Sequence, residues 1–191
     1  MTPDFDLSSL RTDQADLQQV HAILGTDTVA ATDPRRWGLA VIATVLGGGM
    51  SSRLFQKVRE ELGLCYAVYA WHACYRSAGT FGVYVGTSPR TTAQAIEEIG
   101  DELRRLCREG VTPAELADGK GQLHGQVLLG LESTVSRMSR LASHALNDEP
   151  YRSIDEVLQL IDGVTVDTVA ALATEFLAPE RMTTVRLGPV E

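Results

Sequence analysis

Cysteine is scarce in this chain: Cys65, Cys74 and Cys107 are the whole supply among 191 residues. Three irregularly spaced thiols do not make a disulfide framework, and their scarcity agrees with a reducing compartment. Long hydrophobic runs are also missing. No apolar stretch approaches the roughly 20 residues that a membrane-spanning helix needs, so no membrane partner is expected. The opening Met1-Thr2-Pro3-Asp4-Phe5-Asp6 has neither the basic nor the apolar region of a secretory signal, and a cytoplasmic location is the expectation. Positive charge is in deficit, with 17 Lys and Arg against 25 Asp and Glu, a net −8. That balance disfavours nucleic acid and anionic membrane surfaces, which are bound through clustered cations. Linkers rich in Pro, Gly or Ser, low-complexity segments and fixed-period repeats are absent as well, so a single domain over 1–191 is expected. A chain of this length buries about 70% of its unfolded surface.

What is present alternates between two periodicities. Residues 20–25 read as a short strand. Asp33-Pro34 then signals a helix start, with a carboxylate cap and proline in the first turn, and predicts a helix over 34–46. That helix is apolar almost all the way round, which predicts that it is sandwiched between other elements. Gly47-Gly48-Gly49 ends it, the expected reason being glycine's access to left-handed backbone angles. Ser51 or Ser52 is expected to cap a second helix over 53–62, with Leu54 and Val58 inward and Gly63 at its close. From Cys65 the period becomes two, predicting a strand over 65–75. Cys65, Ala67, Tyr69, Trp71 and Ala73 then share one face, and Tyr66, Val68, Ala70, His72 and Cys74 the other. A turn at 76–79 leads into a strand over 80–86, an antiparallel hairpin. An amphipathic helix follows over 91–109, ended by Gly110. Capping boxes open a long helical region over 112–146, which Gly119, Gly121, Gly125 and Gly130 weaken, and another helix at Ser153. A helix over 166–177 and a closing strand over 183–187 complete an α+β fold, a mainly antiparallel sheet with helices packed on one face.

Several chemistries fail on spacing. The three glycines follow a helix and lack the lysine of a phosphate loop, and a dinucleotide fingerprint fails for the same reason. Cys65, His72 and Cys74 are zinc-ligand types, but a regular strand puts Cys65 on the far face from the other two. No Gly-x-Ser-x-Gly nucleophile motif occurs, and Ser143-His144 are neighbours that diverge on a helix. Arg59 and Tyr66 remain, flanking the helix end at Gly63. A guanidinium offers a rigid fork of donors to carbonyl or carboxylate oxygens, and a phenol at a strand start can donate to a developing oxyanion. The plainer reading of that spacing is a solvated arginine and a half-buried strand tyrosine.

The run Leu46-Gly47-Gly48-Gly49-Met50-Ser51-Ser52-Arg53-Leu54-Phe55, then Val58-Arg59-Glu60, then Gly63-Leu64-Cys65-Tyr66-Ala67-Val68-Tyr69, resembles the C-terminal half of pitrilysin- or insulinase-type zinc metallopeptidases. The likeness is greatest to the bacterial processing-protease branch, similar to mitochondrial processing peptidase. It extends upstream to Gln18-Gln19-Val20-His21 and Asp33-Pro34, and downstream to Leu131-Glu132-Ser133 and Ser136-Arg137-Met138-Ser139-Arg140-Leu141-Ala142. The resemblance implies two α+β halves closed around a peptide, with zinc held by a His-x-x-Glu-His motif and a later glutamate in the N-terminal half. No such motif occurs here, and Ala40, Val41, Thr44 and Val45 stand on the helix corresponding to the zinc helix. No metal and no other cofactor is therefore expected in this chain, and zinc is expected in a partner half. By the same resemblance Arg59 binds a substrate carbonyl and Tyr66 stabilises the tetrahedral intermediate. The implied function is the substrate-binding half of a zinc metalloendopeptidase, inactive alone. The alternative is a non-catalytic scaffold or assembly subunit, as some relatives are purely structural. Implied partners are an N-terminal zinc-bearing half, a peptide substrate and, for the chain in isolation, a second copy of itself.

Overall fold

The computed structural model describes the backbone of residues 11–13 and the whole of residues 17–189; the opening six residues read above for a secretion signal lie outside these. Among the described residues five strands form one sheet in the order β1-β5-β2-β4-β3. They are β1 Arg11–Asp13, β2 Val20–Thr28, β3 Cys65–Cys74, β4 Gly79–Thr87 and β5 Thr183–Gly188. All pairings are antiparallel except the short β1, which runs parallel to β5. The α+β architecture expected from the sequence is the one observed.

Helices α1 Arg36–Gly47, α2 Thr92–Glu109, α3 Pro113–Gly130, α4 Thr134–Leu146, α5 Ile154–Asp162 and α6 Val166–Phe176 follow the predicted order. Alternation sorts each strand. Ala22 and Leu24 of β2, Phe81, Val83 and Val85 of β4, and Val68 of β3 are buried on one face, where they meet Leu39, Ile42 and Leu46 of α1, Ile99 and Leu103 of α2, and Val169 and Leu172 of α6. α1 is sandwiched as its composition requires, lying against β3 on one side and α3 and α6 on others. The opposite sheet face carries His21, Tyr69, Trp71 and Tyr84. Tyr69 stacks on Tyr84 at 4.8 Å, and the Tyr84 hydroxyl meets His21 Nδ1 at 2.6 Å.

Local readings held where a side chain meets a backbone group directly. The Thr112–Glu115 and Ser153–Glu156 capping boxes form, and Gly63 (φ +61°) and Gly110 (φ +67°) stop their helices in the left-handed region. Four readings need correction. Asp33 does accept the Arg35 amide at 2.8 Å, but Pro34 and Arg35 sit in a tight turn and α1 begins at Arg36. The helix over 112–146 breaks at 131–133, where Ser133 caps α4. Ser52 caps nothing: it is buried and its hydroxyl donates to the Gly49 carbonyl at 2.6 Å. The glycine triplet takes no left-handed angle, as Gly48 has φ −79°. Gly47 is needed for room, because a Cβ there would stand 2.2 Å from the Ala70 amide nitrogen of β3.

Candidate functional site

Arg59 and Tyr66 lie on adjoining elements whose geometry departs from the regular forms predicted for them. Residues Phe55–Glu61 wind as a π-helix rather than an α-helix. Its wider turn is closed by the Leu62 amide bonding back five residues to Lys57 at 3.1 Å, a geometry that recurs at functional sites. Leu54 and Val58 anchor it in the core. Arg53, at its start, reaches across to Glu115 at 2.6 Å and to the Gly110 carbonyl at 2.9 Å, tying it to the α2–α3 junction. That bond, with the Thr112 amide and hydroxyl, holds the Glu115 carboxyl down at about 2. Arg59 is exposed, and its guanidinium lies over the Phe55 ring, 4.7 Å from the centroid. Cation–π contact orients the side chain without consuming its donors.

Tyr66 sits in a β-bulge. Cys65 pairs with Thr87 and Ala67 with Gly86, so Tyr66 is the extra residue with no partner on β4. The side chain is 59% exposed. Arg59 is close enough to Cys65, the neighbour of Tyr66, for its charge to oppose the rise that burial imposes on the Cys65 thiol. Both predicted residues therefore reach solvent near the junction of the π-helix and β3.

The bulge also corrects the face assignment. An extra residue reverses the parity, so Cys65 shares the core face of Val68, Ala70, His72 and Cys74 rather than opposing it. Zinc at these three remains excluded for another reason: Cys65 and His72 are seven residues apart on an extended strand, about 23 Å. Among the described residues no three His, Cys, Asp or Glu side chains cluster as metal ligands. On α1, Val41, Thr44 and Val45 are buried, and the Thr44 hydroxyl is turned back to the Ala40 carbonyl at 3.0 Å. This set offers no site that fits zinc.

The structure adds two arrangements that spacing alone did not give. His72 Nε2 lies 3.4 Å from Cys74 Sγ and 3.2 Å from Thr28 Oγ1. Burial, aided by the Arg36 charge, lowers His72 to about 4, and burial raises the Cys74 thiol. Both shifts oppose a thiolate–imidazolium pair, so this is not an activated nucleophile. A neutral native His72 has a consequence for acid stability. As pH falls from about 6.5 toward 4 the unfolded chain takes up a proton that the folded chain refuses, and about 2–3 kcal/mol of stability is lost. His72→Gln is expected to remove most of that loss in urea unfolding compared at pH 7 and pH 4; an unchanged difference would show that other groups cause it. The second feature is a cavity of about 360 Å³ among the helices, lined by Arg36, Trp37, Arg140, His144 and Glu149. Arg36 is ion-paired there with the buried Glu149.

Fold and site together describe an α+β domain in which, among the described residues, no cluster of metal-ligating side chains occurs. Comparison with known proteins agrees: the profile of the peptidase M16 inactive domain matches residues 2–123, and the chain belongs to that family. It is 41% identical over 174 residues to an uncharacterized zinc protease of Streptomyces coelicolor, covering 91% of this chain and 38% of that protein. An uncharacterized zinc protease of Bacillus subtilis is 36% identical, with 93% and 43% covered. The chain thus spans about two fifths of the length of such relatives. Among solved structures, the peptidase M16 inactive domain from Pseudomonas fluorescens superposes with a TM-score of 0.81 at 23% identity, over 94% of this chain and 42% of that one. A chain of complex III from Candida albicans superposes at 0.86 and 17% identity, over 94% and 45%. At such identities these superpositions speak for the fold.

Proposed function

We propose that this chain is the substrate-binding half of a zinc-dependent metalloendopeptidase of the processing-peptidase type, completed by an N-terminal half that holds the zinc. The observation that carries the reading is the pairing of two outward-reaching groups, Arg59 on the π-helix and Tyr66 in the bulge, with a chain that has no metal-ligand cluster among its described residues. Arg59 would bind a carbonyl oxygen of the peptide and Tyr66 would donate to the oxyanion developing on it, while a zinc ion in the other half would supply the activation of water. α4 exposes Val135, Met138, Leu141 and Leu146, apolar surface that agrees with life beside another half or, without it, a second copy.

The test is reconstitution. Co-expression with a zinc-bearing N-terminal half is expected to give peptide hydrolysis that neither half shows alone. Arg59→Ala in this assembly is expected to lower kcat/KM about tenfold to a hundredfold, the value of a charge-assisted hydrogen bond. Undiminished turnover would remove Arg59 from the site. A stable complex that never cleaves peptide would move the chain to a scaffold role.

A further inference from the structure

Strand β3 forms one outer edge of the sheet. It is ten residues long, CYAVYAWHAC, with no proline, glycine, lysine or acid. Every second amide and carbonyl of an edge strand points away from its single neighbour. Among the described residues, the backbone of residues 66–74 has no backbone hydrogen bond beyond its ladder with β4. Long neutral edges invite pairing and are ordinarily blunted by charge, proline or a covering segment; here only the Tyr66 bulge interrupts the edge. Beside it, between β3, α1 and α3, lies a cavity of about 340 Å³. Ala40 and Thr44 of α1, Trp71 and His72 of β3, and Leu123 and Gln126 of α3 line it; no Lys, Arg, Asp or Glu does, and burial keeps His72 neutral.

We infer that the outer edge of β3 and this cavity form a peptide-binding site in their own right: an extended, uncharged peptide segment adds to the sheet as a sixth strand and places a side chain in the cavity. The occupant follows from the chemistry of the surface. A row of donors and acceptors repeating every two residues matches another extended backbone, and the neutral lining selects an apolar or small polar side chain. The bulge sets the register. It ends the regular ladder at Tyr66, and Trp71 stands about 17 Å further along the strand. A peptide seated at the cavity therefore continues along the edge toward Tyr66. This inference rests on the reading that the assembled protein handles peptides, but its test needs no hydrolysis.

The probe is a fluorescent, end-capped peptide, Ser-Val-Thr-Ala-Thr-Val, read by polarisation against the intact 191-residue chain. Two further versions carry N-methyl groups on alternate amides, one set in each. In an added strand only one set faces β3, so one version is expected to bind about tenfold or more weakly and the other to bind like the parent, since each lost bond is worth about 1 kcal/mol. Equal affinity of both versions, or no saturable binding of the parent, overturns the inference. So does sedimentation showing that the peptide is excluded by a dimer paired through β3. The assay uses this chain alone and reads no turnover, so failure of this site is seen apart from failure of the catalytic role, which the reconstituted assembly reports.

Discussion

Replacing Tyr66 by phenylalanine in the zinc-bearing assembly is expected to lower kcat about a hundredfold to a thousandfold, the usual effect of removing one donor from an oxyanion site. The reasoning is geometric. Tyr66 occupies the bulge, 59% exposed, and its ring is no part of the buried core. Phenylalanine keeps the ring and removes only the hydroxyl, so folding stability is expected to change by less than about 0.5 kcal/mol. A donor that acts on the tetrahedral intermediate and not on the ground-state peptide affects kcat while KM stays nearly constant. Kinetics of the variant against the parent, with unfolding curves of both, check each part. A fall in KM affinity with kcat preserved would make Tyr66 a binding residue, and an unaltered kcat would dismiss the hydroxyl.

Gly47→Ala is expected to destabilise the chain by about 4 kcal/mol or more, enough to leave much of it unfolded. The new methyl would lie 2.2 Å from the Ala70 nitrogen and 2.8 Å from the Tyr69 carbonyl carbon. Those atoms are backbone, so no side chain can swing aside, and α1 must lift from β3. The displaced region includes Leu46, fully buried in the core. Gly121→Ala is the control. It too lies in a helix, but no atom stands within 4 Å of its added Cβ, and helix propensity makes that change neutral to stabilising, by up to about 1 kcal/mol. Urea midpoints for the two variants decide the matter. Similar midpoints would mean that Gly47 is dispensable and that the approach of α1 to β3 is loose.

These positions show why some of the molecule was legible in the sequence and some was not. Capping boxes, the β3–β4 hairpin and the left-handed Gly63 and Gly110 are local: each is a few residues satisfying one another, and each was readable. Strand β1 was missed because Arg11-Thr12-Asp13 has no strand character of its own and is held by pairing with β5, 175 residues away at Arg11–Arg186. The π-helix was missed because nothing in FQKVREE marks a bond to the fifth preceding residue rather than the fourth. The glycine triplet was readable as special but for the wrong reason, since close approach to β3 is a tertiary fact. The bulge left one trace, the placing of Tyr66 on the same face as Val68, of which one is exposed and the other buried. Arg59 and Tyr66 were singled out by resemblance; spacing alone did not distinguish them from ordinary surface residues.

The extra residue at Tyr66 works like a dropped stitch. Remove it, and Cys65 and Ala67 become neighbours facing Thr87 and Gly86, which are already neighbours on β4, so the ladder closes up with Val68 still inward and Tyr69 still outward. The residue that carries the phenol is therefore the one position in β3 that the pairing with β4 does not need, which makes this a place where evolution or a protein engineer can add or take away an outward group without re-registering the sheet.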